Sequence, residues 1–290
     1  LLIILFTTNK HMQKQHPQPQ QLPLDHLQKL NAHKRDMNTS LDEATHTYNI
    51  NGETDYTSMT TVIHSLFSKF DEEKIINNMM ASNNWPNSKY YGLSKQEIKD
   101  LWEKNKNEAS SAGTKMHYDI ECFYNNISQT PTNTSIEFQY FMNFYNDFKT
   151  NLEPYRTEWI VYDEDLKIAG SIDMIFKKRQ TNQKDQKDQE EILEIYDWKR
   201  CKEIVKSTNF NKWALPECIN HFPDTNYWHY ALQLNGYKYI LTHKYNKRVG
   251  DLYLVCLHPN NKNNNYLRIK VPDLQTEIHT LFEQRNKTRK

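Results

Sequence analysis

Two runs of apolar residues, GSIDMIF at positions 170–176 and EILEIYDWK at positions 191–199, decide how this chain folds. Apolar residues alternate with others in both runs, as they do in β-strands. Each run carries an aspartate, Asp173 or Asp197, and Lys199 lies two residues after Asp197, so that a strand would project both from the same face. An aspartate among apolar residues is costly to bury alone, and Asp173 therefore needs a cation or hydrogen-bond donors nearby. The two runs predict a pair of strands that carries two carboxylates and an ammonium group.

This combination of groups is typical of metal-assisted phosphodiester hydrolysis. Carboxylate oxygens suit a hard cation such as Mg²⁺, which also keeps water molecules and phosphate oxygens among its ligands. A nearby lysine can orient the attacking water or neutralise the charge that develops on the phosphate. The residues thus predict a divalent-cation site with Asp173 and Asp197 as its first ligands and Lys199 beside it.

Two further motifs accompany the strand pair, GTKMH at positions 113–117 and QLNGY at positions 233–237, each on a predicted helix. Together with GSID at 170–173 and DWK at 197–199, they resemble the motifs of the PD-(D/E)XK nuclease superfamily. The resemblance is to its RecB-like and lambda-exonuclease-like branch, and it extends to the mitochondrial genome maintenance exonucleases. The four motifs occur in the order of that branch and span about half of the chain. Ile172 stands before Asp173 where the name of the superfamily has proline.

The resemblance implies a fold and a set of metal ligands. The fold would be α/β, with a restriction-endonuclease-like core in which helices flank a central mixed β-sheet. One or two Mg²⁺ ions would bind, with Mn²⁺ as a substitute. The implied ligands are Asp173, Asp197, the carbonyl of Trp198, His117 and Glu158.

Other site residues follow from the same resemblance. Lys199 would position the attacking water or help to deprotonate it, and Gln233 and Tyr237 would brace the lysine or contact a DNA phosphate. On pattern alone His117 would be an ordinary surface or core histidine, and Glu158 could equally form a salt bridge on the face of its strand. Tyr230 and Leu234 are expected to serve packing.

The implied activity is that of a Mg²⁺-dependent DNA nuclease, foremost an exonuclease in recombination, repair or replication. Single-stranded and duplex ends are both possible substrates. The alternatives are a structure-specific endonuclease and a catalytically inactive module that binds nucleic acid. The joint presence of His117, Asp173, Asp197, Lys199 and Gln233 argues against the inactive module.

The overall charge does not separate these possibilities. The chain has 37 Lys and Arg against 36 Asp and Glu, a formal net charge of +1. No global basic field attracts nucleic acid, so a DNA-binding surface must come from local clusters of Lys and Arg. Asn and Lys are abundant and Gly is scarce, at 6 residues, a bias that is typical of an AT-rich genome such as that of a large DNA virus.

The four cysteines, Cys122, Cys201, Cys218 and Cys256, are scattered, and none belongs to a Cys-x-x-Cys motif. This spacing predicts neither a zinc ribbon nor a disulfide framework. Some RecB-like relatives hold an iron–sulfur cluster with one cysteine before the core and a tight group of cysteines after it. The chain lacks that group, so no iron–sulfur cluster is expected.

Composition divides the chain into three parts. Residues 1–40 are rich in Gln, His and Pro and are expected to be a disordered leader, whose initial apolar hexamer is far too short to span a membrane. Residues 41–106 are expected to form a hairpin and a helical extension. Residues 107–290 would be the nuclease core, with a polar insert at 178–190. No later run is long enough for a membrane helix, and we expect an intracellular protein that is not secreted.

Local signals place the elements within these parts. The hairpin should turn at Asn51-Gly52, the next helix should be capped by Ser58 or Thr60, and Ser94 should begin another with a capping box. In the core, the patterns predict helices over 107–126, 135–149, 226–245 and 273–286 and strands over 155–162, 167–177, 192–198, 250–258 and 266–271.

Three further features are candidates for contact with nucleic acid. Gly170 has no side chain and would let a phosphate approach closely. Arg200 and Lys202 could hold phosphates or merely be a solvated strand end. The basic residues at 285–290 could contact DNA or be a solvated terminus.

Overall fold

The computed structural model of the chain describes residues 24–42, 45–126, 133–179, 191–208 and 211–289. Its helices are α1 (His26–Leu30), α2 (Met59–Ser65), α3 (Glu72–Met80), α4 (Lys95–Tyr124), α5 (Ile136–Phe148), α6 (Asn226–Lys244) and α7 (Gln275–Arg289). Its strands are β1 (Thr39–Asp42), β2 (Thr47–Ile50), β3 (Thr57–Ser58), β4 (Leu152–Asp163), β5 (Ile168–Lys178), β6 (Ile192–Lys199), β7 (Arg248–Cys256) and β8 (Leu267–Val271). The predicted leader as far as residue 23 and residues 180–190 of the predicted insert lie outside the described residues.

A mixed sheet organises the fold. Its strands follow the order β3-β5-β6-β7-β8, and β4 also pairs with β5. The β4–β5, β5–β6 and β7–β8 pairs are antiparallel, whereas β3–β5 and β6–β7 are parallel. Helices cover both faces of this sheet, which confirms the predicted α/β class with a central mixed sheet flanked by helices.

Two hydrophobic cores hold the helices against the sheet. One core contains α2, α6 and α7, with buried residues such as Leu234 of α6. The other contains α4 and α5, with buried residues such as Phe144 of α5. Neighbouring residues of β6 face opposite cores, Ile195 the first and Tyr196 the second, because side chains alternate along a strand. The helices α4 and α6 therefore approach the same strands from opposite sides.

Strands β5 and β6 part in the middle of the sheet. They pair over only a short stretch, which ends at the pair Met174 and Tyr196. Beyond this pair β6 continues against β7 alone. Asp173 and Asp197 are the next residues of the two strands, so they lie where the strands separate. The sheet thus has an opening with an aspartate on each side.

Residues 24–40 differ from the expected disordered leader. They include α1, on which Leu27 is buried. The carboxylate of Asp36 accepts hydrogen bonds from the Arg156 guanidinium at 2.7 Å and from the Trp159 indole N–H at 2.8 Å. Both donors belong to buried residues of β4, and without Asp36 the Trp159 indole N–H would lose this acceptor. The expectation of disorder was wrong for these residues, because one carboxylate and one apolar side chain anchor them.

The predicted turn is present, but the strand before it pairs with an earlier segment of the chain and not with a strand after the turn. Strand β1 pairs with β2, so the first strand begins in the expected leader, with Thr39 and Ser40. Asn51 and Gly52 form the predicted tight turn, with φ values of 54° and 88°. Around this turn Ile50 and Glu53 exchange backbone hydrogen bonds of 2.9 and 3.0 Å. The chain after the turn makes only this single bridge, because β2 already pairs with β1.

The helix caps are as predicted, whereas one domain boundary is not. The Ser58 hydroxyl accepts from the backbone N–H of Thr61 at 3.1 Å and caps α2, and Ser94 forms the capping box of α4 with Glu97. Helix α4 has 30 residues and runs without a break through the boundary predicted at residue 106. Among the described residues, no helix is both long and apolar enough to cross a membrane.

Candidate metal centre

His117, Glu158 and Asp173 converge at the opening between β5 and β6. They lie on α4, β4 and β5, respectively. The Nδ1 atom of His117 is 3.6 Å from Oε1 of Glu158 and 3.5 Å from Oδ2 of Asp173. One potential ligand atom of each residue lies within 4.8 Å of the other two. Three separate elements thus bring an imidazole and two carboxylates to one point.

Asp173 also completes the backbone hydrogen bonding where the strands part. Its Oδ2 atom accepts the backbone N–H of Trp198 at 2.9 Å. Trp198 lies on β6 beyond the last residue that pairs with β5. The carboxylate therefore satisfies an N–H group that the neighbouring strand leaves free.

Glu158 has a left-handed backbone conformation within β4, with φ of 41°. A non-glycine residue with positive φ is strained, at a cost of about 1–3 kcal/mol. The carboxylate accepts a hydrogen bond of 2.7 Å from the hydroxyl of Ser171 on β5 and also faces His117. The strained residue thus holds its carboxylate in the cluster rather than in a salt bridge elsewhere on the strand.

Asp197 and Lys199 form a buried ion pair beside this cluster. The Nζ atom of Lys199 is 2.7 Å from Oδ2 of Asp197, whose side chain is only 4% exposed. The ammonium also lies 4.5 Å from the centre of the Tyr230 ring, a cation–π contact. Although the two charges are close, Oδ2 of Asp197 receives no hydrogen bond of good geometry. The Lys199 ammonium therefore neutralises this oxygen through charge at ion-pair distance.

Gln233 and Tyr237 lie one turn apart on α6 and brace the elements around the opening. The Gln233 amide donates to the Thr60 hydroxyl at 3.1 Å and to the Tyr237 hydroxyl at 3.3 Å. Tyr237 is buried against Gly170, where an added Cβ atom would lie 2.6 Å from Cε1 of the ring. The expected approach of a phosphate at Gly170 was wrong, because the tyrosine ring fills that space.

Burial and the neighbouring charges raise the pKa values of three groups of the site. Burial disfavours the charged imidazole, but Asp173 and Glu158 outweigh it and raise the pKa of His117 to about 9. Burial raises the pKa of Asp197; the Lys199 ammonium opposes this shift and the Asp173 carboxylate adds to it. Burial also disfavours the Lys199 ammonium, but Asp197 and Asp173 outweigh it and raise the pKa of Lys199. These groups therefore bind protons more tightly than they would in water, and a bound cation could displace protons from the site.

These groups fit a divalent cation. The cluster offers carboxylate oxygens, which suit Mg²⁺, and one imidazole nitrogen, which Mn²⁺ accepts more readily. Asp197 is not one of the three residues within 4.8 Å of one another, but its Oδ2 atom is the buried oxygen without a hydrogen bond. A cation in the opening would offset the repulsion between Asp173 and Asp197, which lie at its two edges.

The structure brings most of the predicted site residues together. His117, Glu158 and Asp173 form the cluster, and Asp197 and Lys199 form the ion pair at its side. Trp198 contributes its backbone N–H to Asp173, and its carbonyl remains a predicted ligand. Gln233 and Tyr237 contact each other; in addition, Gln233 contacts α2 and Tyr237 contacts β5. The Lys199 ammonium instead contacts Asp197 and Tyr230.

Three side chains of the site were missed by sequence reasoning. Tyr230 was expected to serve packing only, although it lies one turn before Gln233 and could have been assigned to the same helix face. Ser171 stands inside the GSID motif and supplies the hydroxyl that binds Glu158. Thr60 carries no signal in the sequence, because its contact with Gln233 arises only from the packing of α2 on α6.

Two arginines that were candidates for phosphate contact are used within the fold. Arg200 pairs with Glu137 at 2.8 Å. Arg285 donates to the backbone carbonyl of Leu166 at 3.0 Å and to the Thr57 hydroxyl at 3.3 Å. Neither guanidinium is therefore freely available for a phosphate, whereas Lys202 is exposed.

Comparisons with known proteins do not assign the chain to a family. No family model matches it, and no curated protein matches it at a significant level. A functional assignment therefore depends on the geometry of the site.

The metal-free protein is expected to lose stability as the pH rises from 6.5 to about 9. The pKa of His117 is about 9 in the folded protein, against an ordinary value of 6.5. The proton therefore stabilises the folded state fully below pH 6.5, and this stabilisation, at most about 3 kcal/mol, is lost as the pH rises through the folded-state pKa. Urea unfolding in EDTA across this range measures it.

The variant His117→Gln should remove most of this pH dependence. His279→Gln is the matched control, since His279 is exposed and forms a salt bridge with Glu283 on its own helix. Identical pH profiles for wild type and His117→Gln would show that Asp173 and Glu158 do not hold a proton on His117.

Glu158→Gly is expected to be more stable than Glu158→Ala by about 1 kcal/mol, as measured by urea unfolding. Both variants lose the carboxylate, but only glycine adopts a φ of 41° without strain. Both should weaken Mn²⁺ binding to the same extent in isothermal titration calorimetry. Equal stability of the two variants would mean that the backbone of Glu158 is not strained.

Proposed function

We propose that the chain is a divalent-cation-dependent nuclease that hydrolyses phosphodiester bonds of DNA, as an exonuclease in recombination, repair or replication. The observation that carries the proposal is the opening between β5 and β6, where Asp173 and Asp197 meet Lys199. The strained backbone of Glu158 and the burial of the Asp197–Lys199 ion pair both cost free energy. Such features cluster where a site is built for chemistry.

The order of elements supports a restriction-endonuclease-like core. Strands β4, β5 and β6 form an antiparallel meander. Helix α6 then leads to β7, which pairs in parallel with β6. This succession of helix, three strands, helix and strand agrees with the core that the sequence motifs imply.

The proposed ligands of the cation are Asp173, Asp197, Glu158, His117 and the Trp198 carbonyl. When bound, Mg²⁺ or Mn²⁺ would polarise the scissile phosphate and lower the pKa of a water molecule. His117 must first release the proton that Asp173 and Glu158 favour, because a protonated imidazole has no lone pair for a metal. Binding of the cation should therefore be tighter at higher pH.

Lys199 is proposed to orient the attacking water and to stabilise negative charge on the phosphate. Asp197 and the Tyr230 ring fix its ammonium group beside the cluster. The two aspartates raise the pKa of Lys199 despite its burial, so that it acts as a charged hydrogen-bond donor and not as a base. A donor aimed at developing charge in a largely buried site contributes strongly to catalysis.

Two other functions use the same surface. A structure-specific endonuclease would need the same groups and would differ in the DNA that it accepts. A catalytically inactive DNA-binding module would have no need of the buried Asp197–Lys199 pair. The desolvation cost of that pair favours an enzyme over a binding module.

The test is a time course with end-labelled single-stranded, linear duplex and circular DNA in Mg²⁺, Mn²⁺ or EDTA. We expect metal-dependent loss of linear DNA only. Asp197→Asn and Lys199→Ala should each lower the rate by about 100-fold or more, since the first removes a proposed ligand of the cation and the second removes a donor to the developing charge. Lys29→Ala is the control, because Lys29 forms an exposed pair with Asp25 within the α1 region.

The other outcomes each have a definite meaning. Cleavage of circular DNA would show that the enzyme is an endonuclease and not an exonuclease. If the folded wild type binds DNA without a metal ion and cleaves none of the substrates, the chain is not a nuclease, and the assignment as a DNA-binding module remains.

A further inference from the structure

Cys201 and Cys256 lie side by side next to Lys199. Their Sγ atoms are 3.8 Å apart. Cys256 ends β7 and is the register partner of Lys199, whereas Cys201 follows two residues after Lys199. The thiol of Cys256 donates to the backbone carbonyl of Cys201 at 2.9 Å, so the chain after β6 turns back over the end of β7. Residues 55 positions apart in the sequence thus form a contact between two sulfur atoms.

The two thiols differ in access to solvent. Cys256 is fully buried, whereas Cys201 is only partly buried. An oxidant from solvent therefore reaches Cys201 first. The hydrogen bond between the sulfur atoms lowers the pKa of Cys256 and raises the pKa of Cys201, so access to solvent, and not acidity, favours Cys201 as the first thiol to react. Among the described residues, no other two cysteines are in contact.

We propose that Cys201 and Cys256 form a reversible disulfide under peroxide, and that this disulfide displaces Lys199 and turns the site off. The effect on activity rests on the nuclease function proposed above, whereas formation of the disulfide does not.

The reaction takes place in two steps. In the first step, the sulfur of Cys201 attacks hydrogen peroxide; an S–O bond forms, the O–O bond breaks, and the thiol proton leaves with the departing oxygen as water. Cys201 is then a sulfenic acid. In the second step, the Cys256 thiol loses its proton and its sulfur attacks the sulfenic sulfur of Cys201; the S–S bond forms, the S–O bond breaks, and the departing hydroxide takes up that proton as water. Two thiols and one peroxide thus give one disulfide and two water molecules.

We expect the disulfide to move the end of β6. A sulfur–sulfur bond is about 2 Å long, so the two Sγ atoms must approach each other by almost that distance. Cys256 is fixed within the sheet, and the movement falls on Cys201 and the residues before it. The hydrogen bond from the Cys256 thiol to the Cys201 carbonyl is also lost, because oxidation removes its hydrogen.

Lys199 makes a direct backbone contact with this region. Its backbone carbonyl accepts the N–H of Leu257, the residue after Cys256, at 2.9 Å. Its ammonium depends on close contacts with Asp197 and the Tyr230 ring. A displacement of about 1 Å at a catalytic group can lower a rate by about 100-fold. Oxidation should therefore weaken catalysis without unfolding the chain.

The test treats the full chain with hydrogen peroxide, removes the peroxide and follows three signals. Mass spectrometry of unreduced peptides identifies the disulfide. Acylation of lysines by an N-hydroxysuccinimide ester, read by mass spectrometry, reports the exposure of Lys199 and needs no enzymatic activity. The nuclease assay reports the rate. We expect a Cys201–Cys256 disulfide, greater acylation of Lys199 and a rate at least about tenfold lower, all reversed by dithiothreitol.

Three variants complete the design. Cys201→Ser and Cys256→Ser should keep their nuclease rate and their low acylation of Lys199 after peroxide. Cys218→Ser should behave as the wild type, because Cys218 is partly buried like Cys201 but has no thiol in contact.

The outcomes separate this proposal from the nuclease function. Absence of the Cys201–Cys256 disulfide would overturn the proposal, and so would a disulfide that leaves both the acylation of Lys199 and the rate unchanged. The protein could also form the disulfide and show greater acylation of Lys199, yet cleave no DNA even when reduced. That result would support the displacement of Lys199 and contradict the proposed nuclease function.

Discussion

The parting of β5 and β6 beyond Met174 and Tyr196 is the constraint on which the site depends. Continued pairing would place Asp173 directly opposite Asp197, and like charges in such positions destabilise a sheet. In the structure Asp173 instead accepts the backbone N–H of Trp198, and Asp197 pairs with Lys199. The repulsion between the two carboxylates therefore explains why the strands separate at this point.

The elements around the opening keep it in this form. The Tyr237 ring of α6 packs against Gly170 and occupies the space beside β5. Glu158 turns its carboxylate into the cluster from β4, at the cost of a strained backbone. Arg156, two residues earlier on the same strand, is held by Asp36 from the N-terminal part of the described chain. The site is thus a product of tertiary packing that reaches well beyond the sequence motifs.

Much of this arrangement could be predicted from the sequence, because several of its signals are local. Alternation of apolar residues located β5 and β6, and capping residues such as Ser94 located the start of a helix. Features that depend on contacts distant in sequence could not be predicted. Asp36 anchors its segment through donors on β4, and the left-handed conformation of Glu158 has no sequence signature. The contact between Cys201 and Cys256 likewise exists only because β6 and β7 are neighbours.

The proposed function requires that a divalent cation binds in the opening between β5 and β6. The most direct measurement is anomalous X-ray diffraction at the manganese edge from crystals soaked in Mn²⁺. We expect an anomalous peak about 2 Å from carboxylate oxygens of both Asp173 and Asp197, which is absent from crystals of Asp173→Asn. A well-ordered opening that shows no peak in saturating Mn²⁺, or a peak that is retained in Asp173→Asn, would contradict the account.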